Sequence, residues 1–483
     1  MTSLSETSLL AGASGQSTGY TIDQSIRFNE AENVYMHRTP SSASNRRTWT
    51  WSGWLKHSLT STNGYHNIWT ARSGANDYFE IAKRVTASGD NHMDIINKIS
   101  NTTGLRLITN REFRDTSAWY HFVFVLDTTA AVASERVRFY VNGSRETDFS
   151  TATYPSLNYD TYINTDNKHE IGAYNGGSGY MMDGYMAEIN FVDGYAYGPE
   201  FFGEFKTNTD IWIPKEYTGS YGTNGYHIDG RDSSDLGDDE SGNGNDYTTV
   251  NLAAHDFSLD SPTNNFCTFQ PTMTNNSSFE FTEGLLKVDM NTNKSWYHGA
   301  GVTMSMSSGK WYWESYWNSG DIYTIWGILD TEELYALTGY QSSTTIYNFN
   351  FNGIQPNTSG TNDQYRQGAS VVATSQAGAP GGIWQFALDM DNKKMWLGYN
   401  GTWVGSGDPS GGTNETWSST YIASSSYTPA NAGHQISQHR ILTYNFGQEG
   451  TFAGNITAGN NSDGNGIGNF KYSVPSGYKA LCT

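Results

Sequence analysis

The chain has 483 residues and carries 48 acidic against 28 basic side chains, a net charge of −20. That balance opposes phosphate backbones and anionic membrane surfaces, which argues against nucleic acid and membrane insertion. Charged residues make up only 16% while aromatics reach 14% and glycines number 52, a profile of short strands and many turns. No run approaches the roughly 18 apolar residues of a membrane helix, and "SLLAGA" (8–13) is too short and lacks the basic flank of a secretory signal.

Residues 1–19 are small and polar and read as a flexible arm. Strand patterns then follow one another from 20 to about 215: "YTIDQSIRFN" (20–29), "RTWTWSGWLKH" (47–57), "NDYFEIAKRV" (76–85), "GLRLITN" (104–110), "WYHFVFVLD" (119–127), "VRFYVNG" (137–143), "HEIGAY" (169–174) and "GYMAEINFVDG" (184–194). Short strands separated by turn signals predict a two-sheet antiparallel sandwich. "GPEFFGEF" (198–205) is the one candidate for a short helix there. Between 216 and 262 alternation is lost and the chain turns rich in Gly, Asp and Asn, which reads as a linker or elaborate loop. Alternation resumes in 263–483 with "SFEFTEGLLKVDM" (278–290), "GKWYWESYW" (309–317), "YTIWGILD" (323–330) and "RILTYNFG" (440–447), a second sandwich. "DTEELYAL" (330–337) has an acidic residue placed to cap one turn of helix.

One device occurs in both halves. "HFVFVLD" (121–127) leads through an Asp-headed loop to "VRFYVNG", and "IWQFALD" (383–389) leads in the same way to "KMWLGYNG" (394–401). Each second strand ends at Asn-Gly, which supplies the positive φ angles of a tight hairpin. Two versions of one β-module in tandem are expected. The only cysteines are Cys267 and Cys482, so no disulfide framework holds the fold. First and last strands of a sandwich can be neighbours, so a bond between the two and a pair of buried thiols both stay open.

"WYHFVFVLDTT", "ERVRFYVNG" and "HEIGAY…DGYMAEINFVDG" resemble the laminin-G-like, concanavalin A-like sandwich. "GKWYWE" followed by "IWQFALDMDNKKMWLGYNGTW" resembles the SPRY branch of the same jelly-roll architecture. "SIRFNEAENVYMHRTP", "WIPKEYTGSYGTNGYHIDG", "SGNGNDYT", "DSPTNNF" and the closing "PSGYKALCT" together resemble virion proteins of tailed phages, of the tail-fibre or capsid-associated kind. The resemblance implies an all-β chain of two tandem jelly-roll sandwiches located on a virion.

Chemistry has little purchase. The Glu-x-Asp-x-Glu strand of glycan-cleaving relatives is absent, and the pairs Asp389/Asp391 and Glu280/Glu283 read as turn-forming or solvated carboxylates. His434 and His439 have no Gly-x-Ser-x-Gly elbow to work with. No zinc spacing and no phosphate loop occur, so no catalytic residue is expected and the chain reads as a non-enzyme. Calcium is the one cofactor with a motif behind it. Asp239, Ser241, Asn243 and Gly244 follow the first half of an EF-hand loop, and Asn461, Asp463, Asn465 and Gly466 do so again, both without the closing acid. Tight Asx-turn loops explain them as well.

For sugar binding, an exposed ring must stack on a pyranose beside groups that hydrogen-bond its hydroxyls. Loop mixtures of that kind place Tyr174, Asn175 and Tyr180 in the first half and Trp403, Asp408 and Trp417 in the second. Trp49, Trp51, Trp311 and Trp313 read as core. The leading expectation is an exposed tail-fibre or appendage module that binds host-surface glycan or protein and other virion proteins. A decoration or connector protein binding only virion partners is the alternative, and a glycan depolymerase comes third. Phage appendages are commonly symmetric, so a homo-oligomer is expected.

Overall fold

The computed structural model describes residues 9–10, 19–58, 63–177, 181–273, 279–290, 298–320, 324–338, 350–356, 363–367, 370–374, 377–433 and 440–483. The protein is nearly all β, built almost entirely from antiparallel sheets. It divides into two compact units, Gln16–Asn265 and Met1–Gly15 with Phe266–Thr483.

In the first unit one sheet runs Ser144–Glu146, Val137–Val141, Tyr120–Asp127, Thr48–His57, Gly184–Asp193, Ser25–Phe28 and Phe257–Ser258, with Tyr226–Ile228 also paired to Gly184–Asp193. The facing sheet runs Phe149–Thr153, Thr102–Glu112, Asn91–Ile99, Asp77–Val85, Gly64–Gly74, Lys168–Ile171, Tyr35–Arg38 and Thr248–Val250. Alternate residues turn inward. The core is aromatic: Trp49 meets Trp69 edge-on at 5.7 Å, and Phe124 stacks on Phe139 at 4.4 Å.

The stretch 216–262, expected as a linker or an elaborate loop, is part of this sandwich. Its three strands pair with Gly184–Asp193, Tyr35–Arg38 and Ser25–Phe28. Two buried ion pairs lock it down, Arg27 to Asp256 at 3.3 Å and Lys56 to Asp260 at 2.7 Å. Asp260 also accepts the Trp119 indole N–H at 3.1 Å. Strands of two or three residues show no alternation, and so the sequence pattern concealed them. The expected helix at 198–205 is a 3₁₀ turn, Pro199–Phe201, running into a strand, Gly203–Phe205, that pairs with Trp212–Pro214.

The second unit has a seven-stranded sheet, Phe279–Thr282, Lys287–Met290, Arg440–Asn445, Lys310–Ser319, Ile383–Asp389, Lys394–Tyr399 and Thr402–Trp403. A six-stranded sheet holds His298–Gly301, Tyr427–Gly433, Thr324–Asp330, Phe351–Gln355, Gln364–Gln367 and Ser370–Thr374. Thr331–Thr338 is the expected helix, and Asp330 Oδ1 accepts the Glu332 N–H at 2.9 Å. Leu9–Leu10 pairs in parallel with Met304–Ser305, while the rest of the expected arm up to residue 18 lies outside the described residues. Cys267 and Cys482 are both buried.

The repeated hairpin is present in both units. Asn142 and Gly143 have φ of 47° and 75°, and Asn400 and Gly401 have 47° and 84°. In each, the asparagine closes onto the start of the preceding strand. Asn142 Oδ1 accepts the His121 N–H at 2.7 Å, and Asn400 Oδ1 accepts that of Ile383 at 2.9 Å.

Candidate functional site

The residues expected to stack on sugar fare differently. Trp417 is fully buried, because the strand-like bridge between Met395 and Trp417 folds its loop back onto the sheet and its indole N–H donates to the Arg366 carbonyl at 3.1 Å. It is a core residue, and the expectation of a loop ligand is corrected. Trp403 is half-buried at a sheet edge, its ring 6.5 Å from that of Tyr312. Asp408 is exposed and holds a tight turn, accepting the Gly411 N–H at 2.9 Å. In the first unit Asn175 is exposed in a turn with φ of 55°, and Tyr180 lies outside the described residues, as do His434 and His439. Tyr174 alone enters a cleft.

That cleft, about 280 Å³, opens on the outer face of the second sheet of the first unit. Strand register builds it in rows. One row runs Arg72, Tyr78, Lys98 across three strands, and the next runs Thr70, Glu80, Ile96, Arg106 across four. Asn67 and Asp94 flank Ala82 in a third. These positions face outward because Phe79, Ile81, Met93, Ile95 and Leu105, in between, fill the core. Tyr65, Tyr78 and Tyr174, each half-buried, supply the ring surfaces. The Arg72 guanidinium sits 4.0 Å above the Tyr174 ring, and the Lys98 ammonium 5.8 Å from that of Tyr78.

Two carboxyls lie in the floor. Arg106 grips Asp94 at both oxygens, Nη2 to Oδ2 at 2.8 Å and Nε to Oδ1 at 3.3 Å. Glu80 is 8% exposed. Burial, reinforced by the charge of Asp94 and opposed by Arg72 and Arg106, pushes its carboxyl up to about 8, so at neutral pH it is an acid that can donate. No sequence motif marks this arrangement, since the side chains come from four strands. The available signal was the polar and aromatic residues at outward positions of "DYFEIAKRV", "HMDIINKI" and "LRLIT".

The calcium candidates close on themselves. Asp239 Oδ1 accepts the backbone N–H of His227 and of Ser241 at 2.8 and 2.9 Å, and Oδ2 accepts the Ser241 hydroxyl and the Asn245 N–H, both at 2.8 Å. The Asn243 amide donates to the carbonyls of Gly222 and Gly225. A cation there must displace four donors. Asp463 is held likewise by the N–H groups of Asn465, Ile467 and Ala480. Among the described residues Glu188, His227 and Asp229 are grouped tightly enough to hold a metal, their ligand atoms within 4.8 Å of one another. Their atoms are engaged already: Glu188 takes the Tyr20 hydroxyl at 2.7 Å and His227 Nε2 at 2.9 Å, and Asp229 pairs with Arg231.

A Ser–His pair is also present and is not a nucleophilic dyad. Ser52 Oγ lies 2.8 Å from His121 Nε2, but the Trp212 N–H donates to His121 Nδ1 at 3.0 Å. Nδ1 is therefore the unprotonated nitrogen, and Nε2 donates to the serine rather than accepting its proton.

No curated protein matches the chain. Solved structures that are similar include the SPRY domain of human HERC1 (12% identity, TM-score 0.27, 36% of this chain and 96% of that one). Others are a heptameric SAP-like pentraxin from Limulus polyphemus (16%, 0.26, 36% and 78%) and the enzymatically active domain of tailspike protein 2 from bacteriophage CBA120 (13%, 0.27, 34% and 25%). Residues 30–197 match the model of the concanavalin A-like lectin/glucanases superfamily, so this stretch is a concanavalin A-like lectin-type domain.

Proposed function

We propose that the protein is a non-enzymatic, glycan-binding component of a tailed-phage virion, displayed as a tail-fibre or appendage module, with the first-unit cleft as its ligand site. The observation that carries the binding reading is the cleft itself, three half-buried tyrosines around outward rows of Arg, Lys, Asn, Glu and Asp. Apolar ring faces beside a few oriented polar groups are what a sugar ring demands. The virion setting rests on the likeness of the sequence motifs to virion proteins. Binding without cleavage is favoured because both Asp94 oxygens are held by Arg106, which leaves Glu80 without a second free carboxylate across a glycosidic bond.

A second reading, attachment to other virion proteins, draws on Phe201, Phe205, Ile211 and Tyr195, which are 40, 52, 59 and 43% exposed. The test is adsorption of the purified protein to host cells and its inhibition by soluble host polysaccharide. Tyr78→Ala and Tyr174→Ala are expected to weaken glycan binding roughly tenfold each. Binding unaffected by both would overturn the cleft as the site, and release of reducing ends would overturn the non-enzymatic assignment.

A further inference from the structure

The cleft is a concentration of positive charge in a chain whose net charge is −20. Arg106 is matched by Asp94. Three further cations border the same rings: Arg72 over Tyr174, Lys98 over Tyr78, and Arg84 at 5.9 Å from the Tyr65 ring. Register explains the convergence, because Arg72 and Lys98 flank Tyr78 on the strands either side and Arg84 lies across from Tyr65. Arg72 Nη1 is buried without a hydrogen-bond partner among the described residues. A buried guanidinium nitrogen left unpaired is costly, and an anionic oxygen is its natural complement.

Resting on the reading that this cleft binds glycan, we infer that it selects acidic glycans, sugars bearing carboxylate groups, with Arg72 and Lys98 as the residues that set this specificity. A ring stacked on Tyr78, which Arg72 and Lys98 flank on the neighbouring strands, puts its substituents between those two cations. Glu80 adds a pH dependence. The groups facing it are Tyr78 on its own strand, Arg72 on one neighbouring strand, and Asp94 and Arg106 on the others. Below about pH 8 its carboxyl is neutral and donates a hydrogen bond to a ligand oxygen. Above that it ionises and repels an acidic ligand.

The full chain is tested against acidic polysaccharides (alginate, polygalacturonate, hyaluronate) and neutral ones (dextran, galactomannan, laminarin), and any acidic binder is tested again after reduction of its carboxyls. Expected are binding to an acidic member, loss of at least about tenfold on carboxyl reduction, and a similar loss in Lys98→Ala and in Arg72→Gln. Arg111→Ala, outside the cleft, should leave binding unchanged. Affinity should fall several-fold between pH 7 and 9, and Glu80→Gln should flatten that fall. Binding to neutral members alone, or affinity indifferent to carboxyl reduction, overturns the inference and leaves glycan binding standing. Binding to none of the six overturns both.

Discussion

The two sandwiches share a hairpin, down to an asparagine that closes each turn onto the preceding strand, and yet they differ in what they do with polar side chains. The first unit buries charged pairs and histidines in its framework and exposes rows of charge and tyrosine on one sheet face. In the second, the aromatics expected at its rim are drawn inward: Trp417 is core and Trp403 half-buried. The lesson is that a shared module fixes backbone and not surface chemistry, so the ligand site follows from the outward residues of each sheet.

Acid should separate the two units most strongly. In the first, His121 and His169 are fully buried, and burial lowers them to about 3 and about 4. Geometry explains why: N–H groups of Trp212 and Asn164 point at one ring nitrogen of each. The unfolded chain takes up protons below about pH 6.5 while the folded one does not, so stability falls as pH drops from 6.5 toward 4, at roughly 1.4 kcal/mol per pH unit for each histidine. Glu80, held at about 8 in the folded unit, adds stability over the same range and offsets about one histidine. Denaturant titrations at pH 7 and 5 should therefore show a net weakening of the first unit, with His169→Gln reducing the effect.

Next in size is Asp260→Ala, which strands the buried Lys56 ammonium and should cost the first unit about 3–5 kcal/mol by chemical denaturation. Trp417→Ala should cost the second unit a comparable 3–5 kcal/mol, whereas a surface ligand would cost almost nothing. Smallest is the turn itself. Gly143→Ala and Gly401→Ala each place a side chain at positive φ, about 1–2 kcal/mol. The added carbon would meet the Trp212 ring at 2.4 Å in the first and the Tyr472 ring at 2.9 Å in the second. Equal melting shifts would show that backbone strain dominates, and a larger loss at Gly143 that the tryptophan contact does.

What could be read from sequence was what is local. Asn142-Gly143 and Asn400-Gly401, with period-two strands before them, carry their structure in a dozen residues, and the core placement of Trp49, Trp51, Trp311 and Trp313 follows from the same alternation. The closing segment was misread because Asp256 and Asp260 find their partners more than 200 positions away, at Arg27 and Lys56. Loop composition misled at Trp417, since a polar loop can still fold its one large ring inward. The cleft was missed because Glu80, Asp94, Arg106 and Arg72 each look like an ordinary solvated position on its own strand. Only the register across the sheet brings them together.

The return of the 248–263 segment has a mechanical corollary. Ile22 and the 261–263 turn are tied directly, the Ile22 N–H to Thr263 Oγ1 at 2.9 Å and Ser261 Oγ to the Ile22 carbonyl at 2.6 Å. The polypeptide thus arrives at and departs from this domain through one doorway. Tension along the chain would be borne at that threshold and bypass the sheets behind it, and the whole domain could be exchanged for another without lengthening the thread that carries it.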